Sequence, residues 1–91
     1  MAFHSALAAA THNELFSLVL DSVVATMIKV REIGFDIPSS PDHAIKLHGA
    51  IFRQVKRKDA EAARQAMRDH LIESEGTMVR ALGLRAAKAA K

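Results

Sequence analysis

The sequence predicts an all-α fold, an antiparallel bundle of about four helices, on three observations. Apolar residues recur at intervals of three and four along four separate segments, and no segment shows the strict alternation of a strand. The breaks between segments are short and carry capping or helix-stopping residues, which favours antiparallel neighbours. No repeat or low-complexity linker divides the 91 residues, so they make one domain at most.

The first helix is expected from Ala2 to about Thr11, where Phe3, Leu7 and Ala10 share helical spacing. Asn13 then offers a side-chain oxygen to cap a second helix, with Glu14 placed in its first turn beside the positive end of the helix dipole. That helix is expected to reach about Ile33. Gly34 suits the left-handed conformation that closes a helix, and Phe35 to Ser39, containing Pro38, form a connector that cannot continue it. Ser40, Pro41 and Asp42 restart the chain as cap, first-turn proline and first-turn acid.

The third helix is expected to present Ile45, His48, Phe52 and Val55 on one inward face. Lys58 and Asp59 break it, with Asp59 capping a fourth helix whose inward stripe is Ala60, Ala63, Met67, His70 or Leu71, and Met78. Gly83 is expected to end that helix. Residues 1–83 then form the folded part, and 84–91 a basic tail, either a frayed helical extension or disordered.

Composition narrows the function. The chain carries 13 Lys and Arg against 10 Asp and Glu. Arg85, Lys88 and Lys91 supply the whole surplus of +3, so the basic character belongs to the tail. Arg53, Lys56, Arg57 and Lys58 read as solvated helix surface, and with no Tyr or Trp the aromatics that would stack on bases are missing. The absence of cysteine excludes disulfides and thiolate zinc sites, leaving histidine, carboxylate and water as metal ligands. The longest apolar run, Leu15 to Ile28, is interrupted by Ser17, Asp21, Ser22 and Thr26 and is shorter than a membrane span. With no signal-peptide pattern at the start, a cytoplasmic setting with no membrane attachment is expected.

Five histidines remain, and helical position separates them. His48 shares a stripe with Ile45 and Phe52, and His70 shares one with Met67 and Ala63, so both imidazoles are expected to point inward. His4 lies beside Phe3 on the row of Ala8 and Thr11, at an inward or boundary position. His12, at the junction before Asn13, and His43, about 140° around the wheel from His48, are expected to be partly exposed. One histidine on an apolar face is ordinarily a hydrogen-bonded core residue. Three on three helices are costly to bury unless a divalent cation takes one nitrogen from each. Such a set suits zinc, nickel or another first-row ion. No acid shares these inward stripes, and no nucleophile or oxyanion device accompanies them, which argues against an enzyme.

The segment Met1-Ala-Phe-His4, followed by Leu7-Ala8-Ala9-Ala10 and Asn13, resembles the fourth-helix motif of the FCD domain. That domain is the C-terminal effector-binding part of FadR-type GntR transcriptional regulators of bacteria. His48-Gly-Ala-Ile-Phe-Arg-Gln-Val-Lys-Arg-Lys-Asp59, then Ala60-Glu-Ala-Ala63 through Met67-Arg-Asp-His70-Leu71, is similar to the paired last helices of the same domain. The resemblance implies metal ligands at His4, His48 and His70, with zinc, nickel or manganese helping to hold a small organic acid. Asn13, Asp21, Ser22 and Thr26 are the candidate effector contacts. The family's aspartate ligand, four residues before the first histidine, would fall ahead of Met1, so the resemblance implies an N-terminally truncated domain whose site is incomplete and can lose its metal. The winged helix-turn-helix is absent too, which assigns DNA contact to the missing domain of a full regulator. Helices deprived of their usual neighbours would expose apolar faces, so a homodimer or higher oligomer is expected. The competing reading is a metal-free helical oligomerisation module left by truncation.

Overall fold

The computed structural model describes residues 2–38 and 40–90, so what was expected of Met1, Ser39 and Lys91 lies outside the described residues. Four helices follow in order: α1 (Ala2–Ala10), α2 (Glu14–Gly34), α3 (Ser40–Lys56) and α4 (Ala60–Ala89). No strand occurs among the described residues, and no helix is long and apolar enough to cross a membrane. The chain divides into two compact units, Met1–Glu32 and Ile33–Lys91.

In the first unit, α1 ends where His12 takes a left-handed φ of 56°. The side chain of Asn13 does what its type and position lead one to expect: its Oδ1 accepts from the Leu15 amide at 3.0 Å, filling one of the donors a helix start leaves open. The Thr11 hydroxyl closes the end of α1 by donating to the Ala8 carbonyl at 2.6 Å and accepts from the Asn13 amide at 3.1 Å.

The second unit is built on the α3–α4 hairpin. His43 pairs with Glu73, and His48 meets His70. Positions rising along α3 thus meet positions falling along α4, so the helices run antiparallel. The turn between them follows its expected chemistry. Lys58 adopts a φ of 58°, and Asp59 Oδ1 accepts from the Ala62 amide at 3.0 Å as the N-cap of α4.

Three expectations are corrected here. Gly34 is not left-handed: no glycine has positive φ, and Gly34 is the buried last residue of α2. A β-carbon placed there would lie 3.7 Å from Thr77 Cγ2, an ordinary contact. The chain changes direction after it through turns closed by Asp36 and Ile37 amides donating to Ile33 and Gly34 carbonyls. The Ser40 hydroxyl also reaches back, donating to the Gly34 carbonyl at 2.9 Å.

Gly83 does not end α4, which continues to Ala89. Glycine lowers helix propensity without forbidding the conformation, and the helix beyond it has an anchor. The Arg85 guanidinium binds the Asp36 carboxylate through Nε and, at 3.3 Å, through Nη2. The 84–91 segment is therefore helical through Ala89 and tied to the connector.

The inward face of α3 is also rotated from expectation. Ile51 is buried and Ala44, Leu47 and His48 are half-buried, whereas Ile45, Phe52 and Val55 are exposed. His48 sits where two apolar stripes overlap, and a single helical neighbour in this unit covers only one of them. On α4 the covered line runs through Ala63, Met67, His70, Met78 and Ala81; Ala60 and Leu71 are exposed. Ile37, from the connector, completes the buried set with Ile51 and Ala81.

Candidate metal centre

His48 projects from the third turn of α3 and His70 from the third turn of α4, and the antiparallel hairpin brings the two together. Their rings meet edge to face, with centroids 4.8 Å apart and planes at 89°. One ring nitrogen of His48 lies within 4.8 Å of one of His70. His70 is only 6% exposed, the one polar residue among the buried side chains described. Its Nδ1 lies 3.4 Å from Ser74 Oγ, one helical turn further along α4. Sequence reasoning passed over Ser74, whose signal was its i+4 spacing from His70.

Burial holds the His70 imidazole below its ordinary pKa, and the neighbouring His48 adds a smaller effect in the same direction. A neutral imidazole is the form that binds a metal. The donor chemistry therefore fits a divalent cation. Zinc at about 2.0–2.1 Å from two tetrahedral nitrogens sets them roughly 3.4 Å apart, within the span these rings already occupy.

His4 lies in the first unit, half-buried on α1, with its ring edge-on to Phe3 at a centroid distance of 5.4 Å. The two histidines expected to be exposed are so. His12 occupies the left-handed turn after α1, and His43 joins Glu73 at 2.7 Å across the α3–α4 surface. Asp69 accepts from Gln65 at 2.9 Å on the exposed side of α4, away from the imidazole pair.

The candidate effector contacts lie on exposed positions of the first unit. Asn13 Oδ1 is engaged by its capping bond, and the Ser22 hydroxyl donates to the Val19 carbonyl at 2.7 Å. Asp21 and Thr26 are solvent-facing. An open depression of about 350 Å³ at the α1–α2 corner is lined by Ala9, His12, Asn13, Glu14 and Ser17. It includes Asn13 but none of the other three.

Residues 1–73 match the FCD domain. The chain is 31% identical over 71 residues to the HTH-type transcriptional repressor RspR of Escherichia coli strain K12, covering 78% of this chain and 31% of that protein. It has the same identity and coverage with uncharacterized HTH-type transcriptional regulators named YdfH from Shigella flexneri and from Escherichia coli O6:H1. The chain thus spans about a third of the length of these relatives. No solved structure matches it.

Proposed function

This chain belongs to the FCD domain family, and from that premise we propose that it is the effector-sensing part of a GntR-type transcriptional regulator. In this reading His4, His48 and His70 hold a divalent metal ion, which in turn binds the carboxylate of a small organic acid. The observation that carries the proposal is the His48–His70 pair, a buried imidazole set edge-on to a second one across a helix seam. His4 joins on the motif of α1.

Three neutral imidazoles suit zinc or nickel, and manganese is the harder alternative. The ion supplies a Lewis-acid centre for a carboxylate oxygen. The protein supplies orientation. With Nδ1–H of His70 donating to Ser74 Oγ, Nε2 presents its lone pair, the arrangement by which ligating histidines are commonly held. The role is binding, as the regulator relatives suggest, and not catalysis. Effector occupancy acts by preferring one arrangement of a full regulator over another, since only a difference in affinity shifts an equilibrium. Operator contact is assigned to a DNA-binding domain outside these residues.

The test is metal content and zinc titration of the purified chain, compared with His4→Ala, His48→Ala, His70→Ala and the exposed control His12→Ala. The expected result is one ion per chain, lost in the first three variants and kept in the control. Metal retained unchanged in His48→Ala or His70→Ala overturns the site, and metal retained in His4→Ala removes His4 from it. A panel of small mono- and dicarboxylates, titrated with and without zinc, then tests the effector class.

A further inference from the structure

Residues 74–89 of α4 lie beyond the stretch that matches the family, and they fold back on the connector between α2 and α3. Three features hold them there. A β-carbon on Gly34 would lie 3.7 Å from Thr77 Cγ2, so the end of α2 runs beside the start of this segment. Ala81 is fully buried and Ile37, in the connector, is 6% exposed. These are two of the three buried apolar side chains among the described residues. One helical turn beyond Ala81, the Arg85 guanidinium binds the Asp36 carboxylate.

A glycine stands on either side of this contact, Gly76 before Thr77 and Gly83 between Ala81 and Arg85. Neither takes a positive φ, and a β-carbon at either would meet nothing within 4 Å. Backbone conformation and space would both admit alanine, which the same helix uses at Ala62, Ala66 and Ala86. What glycine does at these positions is weaken the helix, because it gives up the most backbone freedom and adds no side chain. The closing pair is weak as well. The side chains of Arg85 and Asp36 are 50% and 34% exposed, and water competes for a pair so placed.

We propose that residues 77–89 are a strap that opens and closes on the connector, with Gly76 and Gly83 as its joints and the Asp36–Arg85 pair as its latch. Closed, the strap buries Ile37 and Ala81 and fixes residues 33–37, the first of the second compact unit. Open, the helix unwinds from Gly83 and the connector loses its cover. The joints and the exposed latch keep the opening cost below that of unfolding the α3–α4 hairpin, so the connector is released by a local event.

The inference is independent of the metal reading, and its test is run with a chelator present. Hydrogen exchange of the full 91-residue chain reads the strap at two places. The amides of Asp36 and Ile37, which donate to the Ile33 and Gly34 carbonyls, report the connector, and those of residues 80–89 report the helix end. The Ala63 amide, bonded to the Asp59 carbonyl at 2.9 Å, is the reference for the rest of the hairpin. Arg85→Ala is expected to speed exchange at both places about twofold to fivefold. Gly83→Ala and Gly76→Ala are each expected to slow it at both by about the same factor. Asp36→Arg together with Arg85→Asp is expected to return both to the original rates, which separates loss of the latch from loss of folding. Ala63 is expected to exchange at one rate throughout. If Arg85→Ala speeds the helix end alone, or Gly83→Ala leaves the connector unchanged, the strap is refuted. A change at Ala63 equal to that at the connector also refutes it, because the opening is then global.

Discussion

The imidazoles of His48 and His70 meet edge to face across the α3–α4 seam, with 4.8 Å between ring centroids. Burying one imidazole next to another costs free energy in the absence of a ligand, because both rings must stay neutral and find partners. A metal ion bound to both rings would offset that cost. Zinc at a hundred times its dissociation constant is expected to add about 2.7 kcal/mol to stability. For a chain of this size that raises the melting temperature by roughly 10–20 °C. The shift is expected to disappear with chelator and in His70→Ala, and a melting curve indifferent to zinc counts against the site.

Without metal, stability is expected to fall as pH drops below the ordinary histidine value of about 6.5. Burial lowers the pKa of His70 in the folded chain, so between the ordinary and the lowered value the unfolded chain binds a proton that the folded chain does not. Unfolding free energy then rises with pH across this window and levels off above it. Urea unfolding at a series of pH values in the presence of chelator measures the slope. His70→Leu is expected to flatten it.

Asp59 fills the N-cap of α4 through the Ala62 amide at 3.0 Å. Asp59→Ala is expected to cost about 1 kcal/mol, and Asp59→Asn much less, because the amide oxygen still accepts. The urea midpoint reads this. Equal losses in the two variants would mean that the cap contributes through its charge alone.

Gly34 and Gly83 give the most direct check on the backbone. Both occupy ordinary helical conformation, and a β-carbon meets nothing closer than Thr77 Cγ2 at 3.7 Å from Gly34, and nothing within 4 Å of Gly83. Each Gly→Ala substitution is therefore expected to stabilise the chain by roughly 0.5–1 kcal/mol. A left-handed Gly34 would instead make the alanine destabilising.

The bond from Arg85 holds the Asp36 carboxyl below its ordinary range, an effect led by the hydrogen bond and supported by the charges of Arg85 and Lys88. Arg85→Ala is expected to return the Asp36 carboxyl toward its ordinary value in a titration followed by carboxyl NMR. It is also expected to raise amide exchange in residues 84–89. Both groups face solvent, so the pairing acts mainly on the local order of the last turns.

The starts of α2 and α4 were legible because each rests on one local hydrogen bond, Asn13 to the Leu15 amide and Asp59 to the Ala62 amide; Ser40, expected as the cap of α3, is instead its first residue and its hydroxyl donates to the Gly34 carbonyl. The His48–His70 pair was legible because both residues lay on apolar stripes of helices joined by a short turn, and the match to the FCD domain covers both. Less legible was which stripe of α3 turns inward, since Ile45, Phe52 and Val55 make as good an apolar row as Ala44, Leu47 and Ile51. Ser74 offered only its i+4 spacing from His70, a signal that gains meaning once the ring nitrogen is seen beside its hydroxyl.

The histidines that opened the functional question divide in the same way. Local chemistry by itself determined four helices, the caps that begin two of them, and the residue types that can bind a metal, because these depend on neighbours within a turn or two of chain. Tertiary packing decided that α4 runs past Gly83 to reach Asp36, that Gly34 stays helical beside Thr77, and that His70 and not Leu71 is buried. Those outcomes depend on contacts between residues some 20 to 50 positions apart. Such contacts exist only after the hairpin has closed, and no window of sequence contains both partners.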